Sequence, residues 1–110
     1  MNNTKNSANG WRLSDGQVIA FESAGFKRTQ YHGQSSAEFL TLHTTARDIN
    51  HSSIDGEYVS DDSECVVEVT PLGTLQFYFP ESDHIEKYDI DENLEDWKIM
   101  AKSCGVELAL

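Results

Sequence analysis

The chain has 110 residues, of which 38% are hydrophobic, 10% aromatic and 25% charged, a composition typical of a single globular domain. Its 8 lysines and arginines oppose 19 aspartates and glutamates, which gives a net charge of −11. This charge argues against direct binding to nucleic acid or to an anionic membrane, because both require a basic protein surface.

The start of the chain differs in composition from the rest. Residues 1–10 contain only Met1 and Ala8 as apolar side chains, so we expect a disordered tail before a single domain at residues 11–110. No segment approaches the roughly 20 apolar residues of a membrane-spanning helix, and the tail lacks the apolar run of a secretory signal. The two cysteines form no Cys-x-x-Cys motif. These features predict a cytoplasmic protein with buried, reduced thiols.

Two β segments are expected at the start of the domain. Asp15-Gly16 lies between two short apolar runs within residues 11–21, and this pair suits the positive φ angles of a tight hairpin turn. A less regular alternation over residues 26–31 indicates a further strand. We therefore predict a β-hairpin followed by a strand.

Residues 35–49 satisfy two patterns. Ser35 and Glu38 match a capping box, and apolar side chains recur at helical intervals as far as Ile49. Several threonines in the same segment favour a strand instead, because β-branched side chains lose rotamer freedom in a helix. We predict a second helix near residues 35–49, with a strand as the alternative.

Residues 64–79 have the clearest pattern in the chain. Two β-rich runs are joined by a segment with Pro71 and Gly73, a combination typical of a turn. Side chains alternate between the two faces of a strand, so each run presents three apolar residues to one side. The core-facing residues predicted in this way are Cys65, Val67, Val69, Leu75, Phe77 and Phe79.

A strand and a helix are expected after this hairpin. Residues 85–90 have strand character, Asp91 is suited to cap a helix, and Gly105 is suited to end it. Together these segments predict an α+β fold, an antiparallel sheet of about four to six strands with the C-terminal helix packed on one face. The predicted buried stripe of that helix consists of Leu94, Trp97, Met100, Ala101 and Cys104.

The chain carries no motif that identifies a catalytic or metal site. It has no Gly-x-Ser-x-Gly sequence, no phosphate-binding loop and no pair of histidines at helical spacing. The run that starts at Asp89 resembles the first half of a calcium loop, but it has Leu94 where glycine is required and Met100 where glutamate is required. We therefore expect neither enzymatic activity nor a cofactor or metal.

The acidic excess lies in the second half of the chain. Residues 1–50 have five basic and four acidic side chains, whereas residues 51–110 have three basic and fifteen acidic ones, a net charge of −12. Two groups within this half are candidate contacts for a basic protein, because carboxylates bind arginine and exposed apolar side chains serve as anchors. The loop cluster is Asp55, Glu57, Tyr58, Asp61, Asp62 and Glu64. The helix cluster is Asp89, Glu92, Glu95, Asp96 and Ile99.

These features favour an acidic inhibitory binding protein that acts as a monomer or weak homodimer. Its partner would be a basic toxin or nuclease, whose nucleic-acid site the carboxylates would cover, as in immunity proteins, antitoxins or phage-type inhibitors. One alternative is a small enzyme or ligand-binding domain, with a site assembled from His43, Asp48, His51 or His84. A second alternative is a self-associating accessory module. The simplest alternative is that the acidic side chains only maintain solubility.

Overall fold

The structure is a computed structural model that describes residues 11–30, 38–49 and 62–107. Within these ranges the strands form one antiparallel sheet in the order β1-β2-β3-β4-β5, and a helix precedes and follows the sheet in the chain. The predicted α+β fold is confirmed. The elements are α1 (Asp15–Ser23), β1 (Lys27–Gln30), β2 (Glu38–Thr45), β3 (Glu64–Val69), β4 (Thr74–Phe79), β5 (His84–Asp89) and α2 (Leu94–Ser103).

Neighbouring strands run in opposite directions, so the connections alternate between two ends of the sheet. We call one the loop end, where Thr45 of β2 pairs with Glu64 of β3 and β4 passes into β5. We call the other the helix end, where the turn between β3 and β4 lies beside the start of α2. A strand of six residues such as β3 separates the two ends by about 17 Å.

One face of the sheet packs against both helices. The six core-facing residues predicted for β3 and β4 are all buried, which confirms the hairpin and its alternation. Phe21 of α1 meets Trp97 of α2 edge to face, with ring centroids 5.9 Å apart. The Trp97 indole donates a hydrogen bond to the Gly73 carbonyl, 3.0 Å away, so α2 is fixed to the turn between β3 and β4.

The hairpin predicted at residues 11–21 is wrong, because Asp15–Ser23 forms helix α1. Ser14 and Gln17 form a capping box: the Ser14 hydroxyl accepts from the Gln17 amide at 3.2 Å, and the Gln17 side chain accepts from the Ser14 amide at 2.8 Å. Two amides at the helix start thereby obtain partners. Burial of Phe21 then orders the helix, so Asp15-Gly16 occupies a first helical turn and not a hairpin turn.

The helix predicted near residues 35–49 is also wrong. Glu38–Thr45 is strand β2, which pairs with β1 on one side and β3 on the other. Pairing with β1 over Glu38–Thr41 and with β3 over Leu40–Thr45 gives partners to many backbone groups and places Leu40 in the core, which outweighs the helical spacing of the apolar residues. The preceding strand prediction is confirmed over Lys27–Gln30. Ser35 lies outside the described residues.

Helix α2 starts two residues later than predicted, because Asp91 is not its N-cap. Its N-cap is Asn93, while the Asp89 side chain accepts hydrogen bonds from the Asp91 and Glu92 amides at 2.8 and 3.3 Å. The predicted buried stripe is confirmed except at its first position, where the side chain is exposed. Neither described helix is long and apolar enough to cross a membrane.

Candidate functional site

Only two members of the loop cluster lie within the described residues. Asp62 lies just before β3, and one of its oxygens is 3.3 Å from a guanidinium nitrogen of Arg47, in an ion pair exposed to solvent. Glu64 is exposed at the first position of β3. The remaining members, Asp55, Glu57, Tyr58 and Asp61, are outside the described residues.

The helix cluster lies at and beyond the helix end of the sheet. Asp89 is half-buried and holds the turn before α2 through the two amides described above. Glu92, Glu95 and Asp96 are exposed, and none of the three side chains forms an ion pair or a hydrogen bond within the described residues. Ile99 follows on the outer side of α2 and is 59% exposed. The free carboxylates of Glu95 and Asp96 and the exposed side chain of Ile99 therefore lie on the outer surface of this helix, and the free carboxylate of Glu92 lies just before it.

The topology separates the two clusters. Asp62 and Glu64 lie at the loop end, whereas Asp89 and Glu92 lie at the helix end, about one strand length away. Their described members do not form one continuous patch. The helix cluster is therefore considered by itself as a binding surface.

A shallow depression of about 290 Å³ adjoins Ile99 on α2. Its rim carries charges of both signs, and Lys102 lies 3.6 Å from Glu107 across it. Helix α2 itself contains two acidic and two basic side chains, and its acidic ones, Glu95 and Asp96, lie in the first turn, where the positive end of the helix dipole favours them. The lining consists of Glu95, Trp97, Lys98, Ile99, Ala101, Lys102, Val106 and Glu107.

All three arginines of the chain are neutralised within the protein. Arg12 binds Asp91 through two nitrogens at 2.7 and 3.1 Å, and this contact joins the start of the domain to the start of α2. Arg28 lies 2.9 Å from Glu22, and the hydrogen bond to this carboxylate raises the pKa of the guanidinium. Arg47 is paired with Asp62. The carboxylates at the start of α2 are thus not offset by arginines, and the basic side chains of α2, Lys98 and Lys102, lie further along the helix.

The sequence analysis missed a buried carboxylate. Glu86 on β5 is 7% exposed, and its oxygens lie 2.8 Å from His84 Nε2 and 3.0 Å from the Tyr88 hydroxyl. Burial, and then the hydrogen bond to Glu86, raise the pKa of Tyr88, so the phenol remains a donor. The sequence pattern of β5 could have identified this carboxylate, because the alternation that buries Tyr88 also places Glu86 on the core face.

The histidines suggested as a scattered site are only partly brought together. His43 and Asp48 line a depression of about 390 Å³ at the loop end together with Glu64. His84 is three strands away on the opposite face of the sheet, bonded to Glu86, and His51 is outside the described residues. Within the described ranges, no three His, Cys, Asp or Glu side chains could hold a metal ion.

The two thiols are buried and unreactive in character. Burial raises the pKa of Cys65 to about 12, and burial likewise raises the pKa of Cys104 to about 12. Both are free cysteines. The thiolate needed for nucleophilic chemistry is therefore disfavoured at neutral pH.

The arrangement as a whole is that of a small α+β domain whose helix α2 presents carboxylates and one exposed isoleucine. Comparisons with protein families, with curated proteins and with solved structures found no match to this chain.

Proposed function

We propose that this protein is an acidic inhibitory binding protein that neutralises a basic, nucleic-acid-directed toxin or nuclease. Immunity proteins, antitoxins and phage-type inhibitors act in this manner. The observation that carries the proposal is the surface at the start of α2, where exposed Ile99 lies one helical turn beyond the unpaired carboxylates of Glu95 and Asp96, and the unpaired Glu92 lies just before the helix. The carboxylates would occupy the positions that phosphates take in the partner's nucleic-acid site.

The two kinds of side chain have different roles in such a complex. Burial of a fully exposed isoleucine contributes on the order of 2 kcal/mol, so Ile99 beside its shallow depression is the energetic anchor. Exposed carboxylates mainly increase the association rate and select a basic partner, because they act over about 10 Å in dilute salt. We therefore expect salt to change mainly the association rate and substitution of Ile99 to change mainly the dissociation rate.

The test uses the basic products of genes adjacent to that of this protein, each purified and assayed for nuclease activity. The chain is titrated into the assay, and the Kd is measured at low and at physiological ionic strength. We expect inhibition by the unaltered chain. Ile99→Asp should weaken binding at least about tenfold, which corresponds to about 1.4 kcal/mol. Glu92→Lys combined with Asp96→Lys should lower the association rate and its salt dependence.

The chain offers matched controls for both changes. Ile19 on α1 is 58% exposed, against 59% for Ile99, so Ile19→Asp places the same change on the other helix. Asp15→Lys combined with Asp48→Lys alters the net charge by the same amount at exposed positions away from α2. If the controls weaken binding as much as the α2 variants, or if no adjacent gene product is inhibited, the proposed function is wrong.

A second candidate function is ligand binding at the loop end. The depression of about 390 Å³ there is lined by His43, Asp48 and Glu64, which offer hydrogen-bonding and charged groups to a small molecule. A thermal-shift screen with metabolites separates the two candidates. A rise in Tm that His43→Ala abolishes would support this site, whereas stabilisation by a protein partner alone would support the surface of α2.

A further inference from the structure

We propose that strand β5 accepts an extended, basic segment of the partner protein as a sixth strand of the sheet. The inference rests on the proposed function in that the partner is basic. It goes further by naming the backbone surface that the partner uses and the conformation of the segment that binds there.

The amide directions along β5 show which backbone groups point away from the sheet. The Ile90 amide donates to Gly73 at 3.1 Å, towards β4, and the Asp89 amide donates to the Asn93 side chain at 3.3 Å, away from β4. Amide directions alternate along a strand, so Ile85 and Lys87 also direct their N–H and C=O groups outwards. Neither residue forms a backbone hydrogen bond on this outer side within the described residues.

The strand is regular enough to act as a template. All six residues of β5 pair in continuous register with β4, with no bulge to twist the edge away. The Ile85 side chain is 51% exposed on the face opposite the helices, where an added strand can cover it. The opposite edge of the sheet, β1, has only four paired residues. An unpaired strand of this kind binds an extended peptide through alternate backbone groups.

The charges around β5 define the partner segment. Glu81 and Asp83 are exposed just before the strand, and Asp89 and Glu92 follow it, so both ends of the edge are acidic. Lys87 lies between them on the outer face. The complementary segment has basic residues at both ends and an uncharged or acidic residue opposite Lys87. A second copy of the chain fits poorly, because either orientation of two β5 strands places acidic ends against acidic ends.

The experiment uses the full chain and a short acetylated and amidated peptide with two arginines at each end and alternating valine and threonine between them. Hydrogen exchange of the Ile85 and Lys87 amides is measured by NMR with and without the peptide. We expect exchange of both amides to slow at least about tenfold at saturation. N-methylation of alternate peptide residues gives two control peptides, of which only the one methylated on the edge-facing amides should lose binding.

A pair of variants tests the same edge from the side of the protein. The Lys87 amide points outwards, so Lys87→Pro removes a donor to the added strand without removing a bond to β4, and Lys87→Thr is the matched control. Lys87→Pro should weaken peptide binding at least about tenfold relative to Lys87→Thr. The thermal melt of each variant verifies folding, and the N-methylated peptides test the proposal even if the proline variant unfolds.

Three outcomes would overturn the inference. They are absence of protection at Ile85 and Lys87, equal binding of the two N-methylated peptides, and a dimer in light scattering that Lys87→Pro converts to monomer. The proposed function can fail separately. If Lys87→Pro inhibits the partner nuclease as well as the unaltered chain does, the edge inference is wrong and the function stands. If the peptide protects β5 but no nuclease is inhibited, the proposed function is wrong and the edge inference stands.

Discussion

Glu86 on β5 and Glu95 on α2 belong to the same acidic half of the chain but lie in opposite environments. Glu86 is buried, and both of its oxygens have partners, in the imidazole of His84 and the hydroxyl of Tyr88. Glu95 is exposed and has no hydrogen-bond partner within the described residues. The first carboxylate supports the fold, whereas the second is available to a partner.

Other acidic residues lie between these extremes. Asp89 is half-buried and caps the turn before α2, and Asp91 accepts hydrogen bonds from two guanidinium nitrogens of Arg12. Both lie in the sequence tract with the highest acidic density, yet both stabilise the fold. The number of acidic residues in the sequence therefore exceeds the number of carboxylates available for binding. The contacts of each carboxylate in the fold decide which are available.

The largest expected effect comes from removal of the buried carboxylate. Glu86→Ala leaves His84 and Tyr88 without their shared partner, and we expect it to lower the free energy of unfolding by about 2–3 kcal/mol. Glu95→Ala, the matched change at the exposed site, should alter it by less than about 0.5 kcal/mol. Urea unfolding measures both. Equal losses in the two variants would contradict the distinction between the two environments.

A smaller effect is expected from Tyr88→Phe, which removes one hydrogen bond to Glu86. At neutral pH the substitution should lower the free energy of unfolding by about 1–2 kcal/mol. The pKa of Tyr88 is raised by burial above its ordinary value of 10.0, so its contribution to stability is present below pH 10 and is lost as pH rises further. The variant should therefore lose less stability than the unaltered chain does above pH 10.

Urea unfolding across this pH range tests that prediction. Tyr78→Phe provides the control for loss of a tyrosine hydroxyl on the half-buried outer face of the sheet. An alkaline loss of stability that is the same in Tyr88→Phe and in the unaltered chain would show that another group is responsible. Cys65 and Cys104 are the first to consider, because the pKa of each is raised in the same direction.

The ion pair between Arg12 and Asp91 should contribute less, because both side chains are partly exposed. A double-mutant cycle with Arg12→Ala and Asp91→Ala should give a coupling of about 0.5–1 kcal/mol at low salt. Because the pair is accessible to solvent, the coupling should decrease in 1 M salt. A coupling above about 2 kcal/mol that is insensitive to salt would place this pair with Glu86 among the buried interactions.

The smallest effects on stability are expected on the outer surface of α2. Ile99→Asp should change the free energy of unfolding by about 0.5 kcal/mol or less, because the side chain is already exposed. Glu92→Lys combined with Asp96→Lys should have a similarly small effect, apart from a weaker interaction with the helix dipole. Thermal melts measure both. A large decrease in Tm would show that this surface is part of the core and not a docking surface.

Sequence patterns were sufficient where the spacing of the apolar residues fitted either a strand or a helix, but not both. The hairpin of β3 and β4 follows from two β-rich runs on either side of Pro71 and Gly73, each with three apolar residues on one face. Helix α2 follows from an apolar stripe with helical spacing, and the same spacing placed Ile99 on its outer side. In both segments local preference and tertiary packing agree, so the sequence alone identifies them.

Sequence patterns failed where two readings fitted the same residues. Asp15-Gly16 suits a hairpin turn or a first helical turn, and the capping box of Ser14 and Gln17 decides for the helix. The apolar residues that follow Glu38 suit a helix, but pairing with neighbours on both sides stabilises a strand. The strands that pair with β2 are separate elements of the chain, so the local pattern of residues in β2 does not reveal them.

For the candidate surface, the sequence by itself determined the net charge, its concentration after residue 50, and the periodicity that turns Ile99 away from the core. Only the tertiary structure decided which carboxylates are free. Arg12 and Asp91 are 79 positions apart in sequence, and strand order separates Glu64 from Asp89 by the length of the sheet. Whether a charge is available for binding depends on which groups folding places within a few ångströms of it, because ion pairs and hydrogen bonds form only at such distances.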